Sequence, residues 1–333
     1  MNPTRRRFLS AVAAAASLAA LEGADSALAA AQGWRTVVRT TRALGTDISI
    51  TAMHADARVA ETAITAAFAE LEQVEALMSL YRPQSQLSLL NSAEKLDNPH
   101  PYLAAVLRHA QLMSQRTVGA FDVTVQPLWA AYAAAQKAGR LPTADELAAA
   151  RRHIGWRRIH ISDDRITLEP GTAITLNGIA QGFAADRVAA ALQRGGVAHA
   201  LIDTGEIGAM GARGDGEAWT VGIQHPRRPD AYLSVARLAG RHLATSGDYA
   251  TAFSSDFSHH HLFDPRTGRS ADAFASGSIL AATGMEADAL STAVFVLGPR
   301  RGMELIESTP GADALLALKD GTVYTTPGFP LES

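Results

Sequence analysis

The sequence NGIAQGFAADRVAAALQR, at positions 177–194, does most to decide the fold, because its glycine-punctuated start and apolar spacing predict a long helix. Strand patterns dominate the residues that follow it, from 198 to 243. Two further helices, separated by Leu297-Gly298-Pro299, are predicted between 285 and 307. Helices and strands interleave without a regular βαβ period. This predicts an α+β fold, a single large domain of mixed sheets and helices, rather than a doubly wound sheet.

The rest of the chain extends the α+β prediction. Helices are predicted over 56–78 and 101–116, and paired strands over 36–51, 158–168 and 313–324. Thr143-Ala144-Asp145-Glu146 has the pattern of a capping box at the start of another helix. The polar, alanine-rich stretch from 130 to 147 predicts a surface insertion or a lid.

The N-terminus predicts an export signal. Residues 4–10, TRRRFLS, contain a twin-arginine pattern, and an alanine-rich apolar stretch from 11 to 21 follows. That stretch is shorter than the roughly 20 apolar residues that span a bilayer, and Ala27-Leu28-Ala29 is typical of a cleavage site. We expect residues 1–29 to be removed as a twin-arginine signal, and residues 30–333 to form a periplasmic domain without membrane insertion. An uncleaved leader is the alternative.

Composition excludes several classes of function. The chain has 333 residues, no cysteine and a formal net charge of −3. The absence of thiols excludes disulfides, thiolate metal sites and a cysteine nucleophile. Acidic and basic residues are mixed along the chain without a basic stripe, so the composition argues against binding to nucleic acid.

A metal site is predicted in the sequence Ala287-Asp288-Ala289-Leu290-Ser291-Thr292. Asp288 and Thr292 are four residues apart, so on a helix their carboxylate and hydroxyl share one face. Hard cations such as Mg²⁺ take oxygen ligands of this kind, and a phosphate-bearing substrate would suit such an ion. The alternative is that Asp288 is only the N-cap of its helix, with Thr292 in the first turns.

A candidate general base lies in the sequence HHLFDPRTG at 260–268. His261 stands near Asp264 and Arg266, and a neutral imidazole accepts a proton near pH 7. A lone histidine is more often structural. A transition-metal cluster of His259, His260 and His261 is disfavoured, because consecutive residues of an extended segment point to opposite sides.

Glycine-containing turns supply further candidate ligand sites, each with a structural alternative such as a cap or a bulged hairpin. Free amides at the start of the helix after Gly178 would suit a phosphate. The candidate turns are Gly119-Ala120-Phe121-Asp122, Gly178 to Gly182, Asp203 to Gly211 and Thr245-Ser246-Gly247-Asp248-Tyr249.

These segments, taken in order, resemble the ApbE-like FAD:protein FMN transferases, over nearly the whole chain beyond the leader. The segments with family counterparts are Leu44-Gly45-Thr46, Ser79-Leu80-Tyr81, Ser85 to Asn91, Gly119 to Asp122, Thr175 to Gly182, Thr245 to Tyr249, His261 to Gly268 and Ala287 to Thr292. The resemblance implies an ApbE-like, T-fold-like architecture and makes residues 30–333 a FAD:protein FMN transferase domain.

The resemblance also implies a reaction. FAD is split at its pyrophosphate, FMN is transferred to a Ser or Thr of an acceptor protein, and AMP leaves. The family's Mg²⁺ would be held by Asp288, Thr292 and the carbonyl of Gly178, and His261 would take the proton of the acceptor hydroxyl. The residues implied to contact FAD are Leu44, Tyr81, Ala120, Phe121, Asp122, Thr175 and Gln181.

Three of the residues implied to contact FAD depart from the family pattern. Leu44 stands where the family has Met, Thr175 where it has Asp and Gln181 where it has Lys. The helix start around Gly178 and the twin-arginine leader resemble members associated with nitrous-oxide respiration, which would make the acceptor a membrane electron-transfer protein. A periplasmic FAD carrier without transfer activity and an FAD pyrophosphatase that gives FMN and AMP are the alternatives.

Overall fold

A computed structural model describes residues 33–332 of the chain. The predicted signal at 1–29 lies outside the described residues, and so does Ser333. Within residues 33–332, no helix has the length and hydropathy that a membrane span requires.

Helices and strands alternate irregularly along the described chain, as the α+β prediction requires. The helices are α1 (Ala57–Met78), α2 (Gln86–Ala93), α3 (Pro101–Arg116), α4 (Gln126–Lys137), α5 (Ala144–Arg151), α6 (Ala180–Arg194) and α7 (Gly284–Glu307). The strands are β1 (Arg35–Ala43), β2 (Thr46–His54), β3 (Lys95–Asp97), β4 (Ile159–Ile161), β5 (Arg165–Leu168), β6 (His199–Asp203), β7 (Ile207–Met210), β8 (Trp219–His225), β9 (Arg228–Leu238), β10 (His242–Gly247), β11 (Phe263–Asp264), β12 (Arg269–Ser270), β13 (Phe274–Ala281), β14 (Asp313–Leu318) and β15 (Val323–Thr325).

An eight-stranded sheet organises the fold, in the order β1-β2-β6-β7-β10-β13-β14-β15. Every neighbouring pair in it is antiparallel. In β2, Ile48, Ile50 and Ala52 are fully buried, whereas Ser49 and Thr51 between them are partly exposed, so one face of the strand packs on the core. Such a sheet has two faces, and each can be covered by a separate layer of structure.

The two faces of the sheet have different covers. Helices α1, α6 and α7 pack together and cover one face, where the largest apolar cluster lies. The antiparallel ribbon of β8 and β9 covers the other through a smaller cluster that includes Trp219, Ile223 and Leu280. Every residue of β13 is buried, because this strand lies under both covers.

The long periodic segments have the predicted structure. α3 begins and ends at the predicted residues, and α5 begins after Thr143 with a complete capping box. The hairpin of β4 and β5 and that of β14 and β15 are also confirmed. α7 is broken where predicted, because Gly298 has φ 77° and ψ 179° and Pro299 follows it.

The prediction of a surface insertion or lid between 130 and 147 was wrong in one respect. The whole stretch from 130 to 137 belongs to α4, and Tyr132 is 2 % exposed. α4 and α5 pack as a helical pair around a small core of Leu128, Tyr132 and Phe263. Alanines had concealed this helix, because they give little apolar contrast between its two faces.

Candidate functional site

The N-terminal turns of α6 and α7 cross in close contact. A Cβ placed on Gly182 would lie 2.0 Å from the carbonyl oxygen of Gly284, so residue 182 tolerates only glycine. The backbone N–H of Gly182 donates to the Asp288 carboxylate at 3.0 Å. In return, Asp186 accepts from the N–H groups of Gly284 at 2.6 Å and Met285 at 2.9 Å. Each helix therefore supplies the carboxylate that caps the other.

Asp288 lies inside α7 and does not cap it. The N-cap is Thr283, whose hydroxyl accepts from the N–H of Glu286 at 3.2 Å, so the alternative of Asp288 as the N-cap of its own helix was wrong. A Cβ placed on Gly178 would lie 2.7 Å from the Thr292 hydroxyl oxygen. Asp288 and Thr292 thus share one face of α7, as their spacing predicts, and Gly178, which the family resemblance had added, lies beside Thr292.

The carboxylates near this crossing are held in a state that favours protonation. Burial raises the pKa of Asp288 to about 7, the Gly182 N–H opposes this, and the charge of Asp186 adds to it. Burial, then the charge of Asp288, raises the pKa of Glu206 well above its usual range. Burial also raises the pKa of Asp203 to about 6. The buried surroundings therefore do not stabilise all three carboxyl groups, Asp288, Glu206 and Asp203, in the charged form.

The oxygen donors at the crossing fit a hard cation that keeps part of its water shell. Within residues 33–332, no group of three or more His, Cys, Asp or Glu side chains could hold a metal ion. The donor set at the crossing is instead one carboxylate, one hydroxyl and backbone carbonyl. Mg²⁺ suits such a set, because it is commonly bound by one or two carboxylates together with waters and substrate phosphates. A nearby cation would also favour the ionised form of Asp288.

His261 lies in a loop that folds back on itself. Its backbone N–H donates to the Thr251 carbonyl at 3.1 Å, and Ala252 and His260 form an isolated antiparallel bridge. The Nδ1 atom of His261 lies 3.3 Å from the same Thr251 carbonyl. A carbonyl only accepts, so Nδ1 carries the proton and Nε2 has the free lone pair.

His260 and His261 have different surroundings. His260 is fully buried, with Nε2 2.7 Å from the Ala271 carbonyl and its ring 5.7 Å from that of Phe295 in α7. His261 is only partly buried. Burial lowers the pKa of His261 to about 4, and the bond to the Thr251 carbonyl opposes the shift. The alternation predicted for the two rings is present, and His260 packs the loop against the helix that carries Asp288.

Asp264 and Arg266 engage each other. The Arg266 guanidinium donates to the Asp264 carboxylate at 2.8 and 2.9 Å, and the Arg266 N–H donates to it at 2.9 Å. The group that orients His261 is therefore the Thr251 carbonyl.

Asp248 anchors the start of this loop. It is fully buried and accepts two hydrogen bonds of 2.7 Å from Arg227, at the turn between β8 and β9. Lys319 lies 3.6 Å from the same carboxylate and donates to the Phe257 carbonyl at 2.8 Å. The Asp248 side chain is thus committed to holding loops together, which favours the structural alternative for it over a phosphate or metal role.

The turn predicted to hold a ring of FAD is rigid. Ala120, Phe121 and Asp122 are all buried. The Asp122 carboxylate accepts from the N–H of Thr124 at 2.9 Å and from the N–H of Trp156 at 2.8 Å, as expected for an Asx cap. The side chain is committed to the turn, and Ala120 and Phe121 are 1 % and 2 % exposed, so the turn presents almost no surface of its own to a ligand.

Tyr81 and Leu44, two further residues implied to contact FAD, lie between secondary-structure elements. Tyr81 is 76 % exposed, which leaves its ring free to stack on a ligand. Leu44 and Gly45 have φ 54° and 80° and form the two-residue turn between β1 and β2. A left-handed leucine in this turn is strained, as residues at ligand sites often are.

Thr175 and Gln181 flank Gly178. The N–H of Thr175 donates to the Val123 carbonyl at 2.8 Å, which links this segment to the turn after Asp122. A Cβ placed on Gly205 would lie 2.6 Å from Nε2 of Gln181, so the Gln181 side chain lies over the turn between β6 and β7. Thr175 and Gln181, two of the three residues that depart from the family pattern, therefore contact different segments, one next to Asp122 and the other at Gly205.

A profile of the ApbE family matches residues 44–316, most of the chain. The chain belongs to the ApbE family. The FAD:protein FMN transferase of Haemophilus influenzae is 32% identical over 271 residues, which is 77% of this chain and 78% of that protein. The FAD:protein FMN transferase of Vibrio cholerae is 32% identical over 251 residues, 72% of this chain and 74% of that protein.

Solved ApbE structures share the fold. The ApbE protein of Thermotoga maritima superposes with a TM-score of 0.79 at 26% identity, over 88% of this chain and 97% of that one. The flavin transferase ApbE of Vibrio cholerae superposes with a TM-score of 0.76 at 28% identity, over 89% of this chain and 98% of that one. The predicted family and the α+β fold are confirmed.

Three residues of this ApbE site were not predicted from the sequence. Asp186 caps α7 across 98 residues of chain, and Glu206 lies close enough to Asp288 for their charges to interact. Trp129 packs beside His261. An acid in the second turn of α6 and an acid after Gly205 were visible signals. Without knowledge of the tertiary contacts, Asp186 would be interpreted as a solvated helix residue and Glu206 as a hairpin residue.

Proposed function

We propose that this protein transfers FMN from FAD to a Ser or Thr hydroxyl of an acceptor protein and releases AMP. Family membership and the activity named for its relatives support the transfer. The observation that carries the proposal is that Asp288 and the loop with His261 are both attached to α7. A buried carboxylate stands beside a hydroxyl on α7, and a histidine with a bare Nε2 lies on a loop packed against the same helix.

The transfer is a displacement at the phosphorus of FAD that bears the riboflavin. The acceptor hydroxyl oxygen bonds to that phosphorus, the bond from phosphorus to the oxygen bridging to AMP breaks, and AMP leaves with that oxygen. The hydroxyl proton goes to Nε2 of His261. The pKa of His261 is about 4 in the free protein, so the ring is neutral at pH 7 and ready to accept. The negative pyrophosphate of bound FAD raises that pKa and strengthens the base.

Asp288, Thr292 and the Gly178 carbonyl would hold Mg²⁺ in this protein. When bound, the ion supplies positive charge beside the pyrophosphate and the departing AMP phosphate. The residues themselves fix where that charge lies. Asp288 is held by the Gly182 N–H, and Gly182 is locked against Gly284 by the helix crossing. The cation site is therefore preorganised by packing.

The remaining residues orient FAD. The exposed Tyr81 ring would stack on a flavin or adenine ring, and the buried backbone of Ala120 and Phe121 would shape the site from within the protein. Asp122 keeps that backbone in place through its bonds to Thr124 and Trp156. Leu44, Thr175 and Gln181 complete the FAD contacts as the family pattern implies. With Thr and Gln at 175 and 181, this protein makes the last two contacts through neutral groups.

The predicted leader and the subgroup resemblance support a reaction in the periplasm. The twin-arginine signal predicted over residues 1–29 exports folded proteins, and its cleavage releases the transferase domain. The acceptor would be a membrane electron-transfer protein of the kind used in nitrous-oxide respiration. Fractionation of cells with and without Arg5→Lys and Arg6→Lys substitutions tests this: loss of periplasmic protein in the variant supports it, and unchanged export contradicts it.

One incubation tests the activity. The purified protein is mixed with FAD, Mg²⁺ and an acceptor protein produced without its flavin, and the products are resolved by mass spectrometry. Covalent FMN on an acceptor Ser or Thr with one AMP released per flavin is the expected result. Free FMN and AMP without modified acceptor would identify a pyrophosphatase. Unchanged bound FAD would identify a carrier. His261→Ala and Asp288→Ala proteins are the controls.

A further inference from the structure

An aromatic side chain of α4 lies directly beside His261. The ring of Trp129 meets that of His261 edge to face, with centroids 6.4 Å apart and an interplanar angle of 86°. The same indole packs against Phe253 at 5.6 Å. Phe253 is two residues from Thr251, whose carbonyl orients the imidazole. Trp129 therefore touches both the histidine and the chain segment that orients it.

The helical pair α4–α5 is a firm support for Trp129. Tyr132, one turn further along α4, packs against Phe253 and Phe263, each at 4.9 Å. From α5, the Arg151 guanidinium donates to the Arg266 carbonyl. A Cβ on Gly268 would lie 2.7 Å from Cδ of Arg151, so the far arm of the loop also rests on this pair. The pair contacts the loop on both sides of His261.

We propose that Trp129 is a positioning residue, which holds the His261 imidazole against the Thr251 carbonyl and excludes water from it, so that Nε2 stays directed at the acceptor hydroxyl. The inference rests on the proposed role of His261 as the base of the transfer. Trp129 itself touches neither substrate nor reacting atoms in this account. It acts by fixing the imidazole ring that it packs against, as residues that surround a catalytic side chain hold that side chain in place.

Few charged groups bear on His261. Burial and the Thr251 carbonyl are the causes that act on its pKa. His259 and His260 are its titratable neighbours in the loop, and burial lowers the pKa of His260 to about 3, so that ring is neutral. Lys319 acts on His260, Asp264 and Arg266 pair with each other, and Trp129 is neutral. Removal of the indole therefore changes mainly the burial of His261, and its pKa should rise.

The test compares Trp129→Ala, Trp129→Phe and Tyr132→Leu in the purified protein. Tyr132→Leu is the matched control, because it removes a fully buried aromatic from the same helix and the same cluster but not the contact with His261. The His261 ring is titrated by NMR with ¹⁵N-labelled histidine and assigned with His261→Ala. FAD affinity, kcat and KM for FMN transfer to the flavin-free acceptor are measured on each protein.

In Trp129→Ala, the pKa of His261 should move from about 4 toward the ordinary value of about 6.5, with kcat about tenfold lower and FAD affinity unchanged. Trp129→Phe should restore most of the low His261 pKa and most of kcat. Tyr132→Leu should lower thermal stability while the His261 pKa stays low. An unchanged His261 pKa in Trp129→Ala overturns the proposal, and so does an equal shift in Tyr132→Leu. If His261→Ala itself transfers FMN normally, the role of His261 as the base has failed, while the ring titration still decides whether Trp129 holds the ring.

Discussion

Asp288 lies where two helices cap each other, whereas His261 lies in a loop held by its own backbone and by aromatic contacts from a helical pair. The contacts around Asp288 are backbone to carboxylate and backbone to backbone, so no side-chain movement relaxes them. The contacts around His261 are one carbonyl, one neighbouring ring and the indole of Trp129. The site therefore has two halves, the helix crossing around Asp288 and the loop around His261. They meet on α7, because His260 packs on Phe295.

The different contacts around Asp288 and His261 fit different tasks in the reaction. The proposed cation needs fixed oxygen ligands in every turnover, and a helix crossing with no room for a Cβ on Gly182 would keep the Asp288 carboxylate in place for it. The acceptor is a protein that must arrive and leave, so the base that receives its proton lies on a loop at the protein surface side of the site. Substitutions in the first half should destroy the reaction, whereas substitutions in the second should slow it.

The largest effect is expected for Asp288. Asp288→Ala and Asp288→Asn should both lose FMN transfer by at least on the order of 10³-fold, because either change removes the charge that holds Mg²⁺. The two variants should differ in stability, because Asn still accepts from the Gly182 N–H and Ala does not. That cap is worth about 0.5–2 kcal/mol. Transfer assays with thermal unfolding measure both quantities. Wild-type transfer by Asp288→Asn in the presence of a chelator would show that the metal assignment is wrong.

His261→Ala should bind FAD normally and transfer FMN about 10²–10⁴-fold more slowly, because a general base acts on the transition state. His260→Ala is the adjacent control. It should transfer far better per folded molecule, but it should be less stable, because it leaves a cavity beside Phe295 and an unpaired Ala271 carbonyl. FAD titration, transfer rates and melting curves separate the two. If His260→Ala is inactive while folded and His261→Ala is active, the base is the other histidine.

The sequence predicts the helix crossing only in part. The spacing of Asp288 and Thr292 predicts a shared helix face, and the structure joins Gly178 to it. The capping of α7 by Asp186 was not predictable, because the partners are far apart in the chain and neither carries a local signal of the other. α3 and the hairpins were predictable, because their periodicity covers many residues.

The loop around His261 was predicted less well. Its histidine was visible, but the Thr251 carbonyl that orients it was not predicted, and the neighbouring Asp264 and Arg266 pair with each other. Trp129 stands in a stretch where alanines hide the helical pattern. α2 was also missed, although Ser85 is its N-cap, because only two of its residues are buried. Sequence patterns report burial faces well and long-range side-chain contacts poorly.

The pH dependence of stability should distinguish the halves further. Asp288 has a pKa of about 7 when folded, above the ordinary value of about 3.9 when unfolded. Between these values the folded state binds more protons, so the metal-free protein should lose stability as pH rises from about 4 to 7, by on the order of a few kcal/mol. Mg²⁺ should restore that loss, and Asp288→Asn should make the curve shallower, while Asp203 and Glu206, whose pKa values are also raised, still contribute to it. Melting temperatures across this pH range, with Mg²⁺ or with chelator, measure it. A wild-type curve that Mg²⁺ does not move would contradict a cation at Asp288.

The smallest effect is expected for Gln181, on the edge of the preorganised half. Gln181→Lys restores the cation that the family carries at this position, beside the turn that holds Gly205 and Glu206. The new charge should attract the FAD pyrophosphate, but the acids Asp203 and Glu206 next to it will take up part of that charge. We therefore expect FAD to bind about two- to fivefold more tightly at low salt, or about 0.5–1 kcal/mol, and less so at high salt. Gln181→Met is the matched control, because it keeps the length and adds no charge. FAD fluorescence titration at two salt concentrations measures all three proteins. Equal affinities for the Lys and Met variants at low salt would mean that residue 181 does not face FAD, and the assignment of this helix start to the FAD site would lose its support.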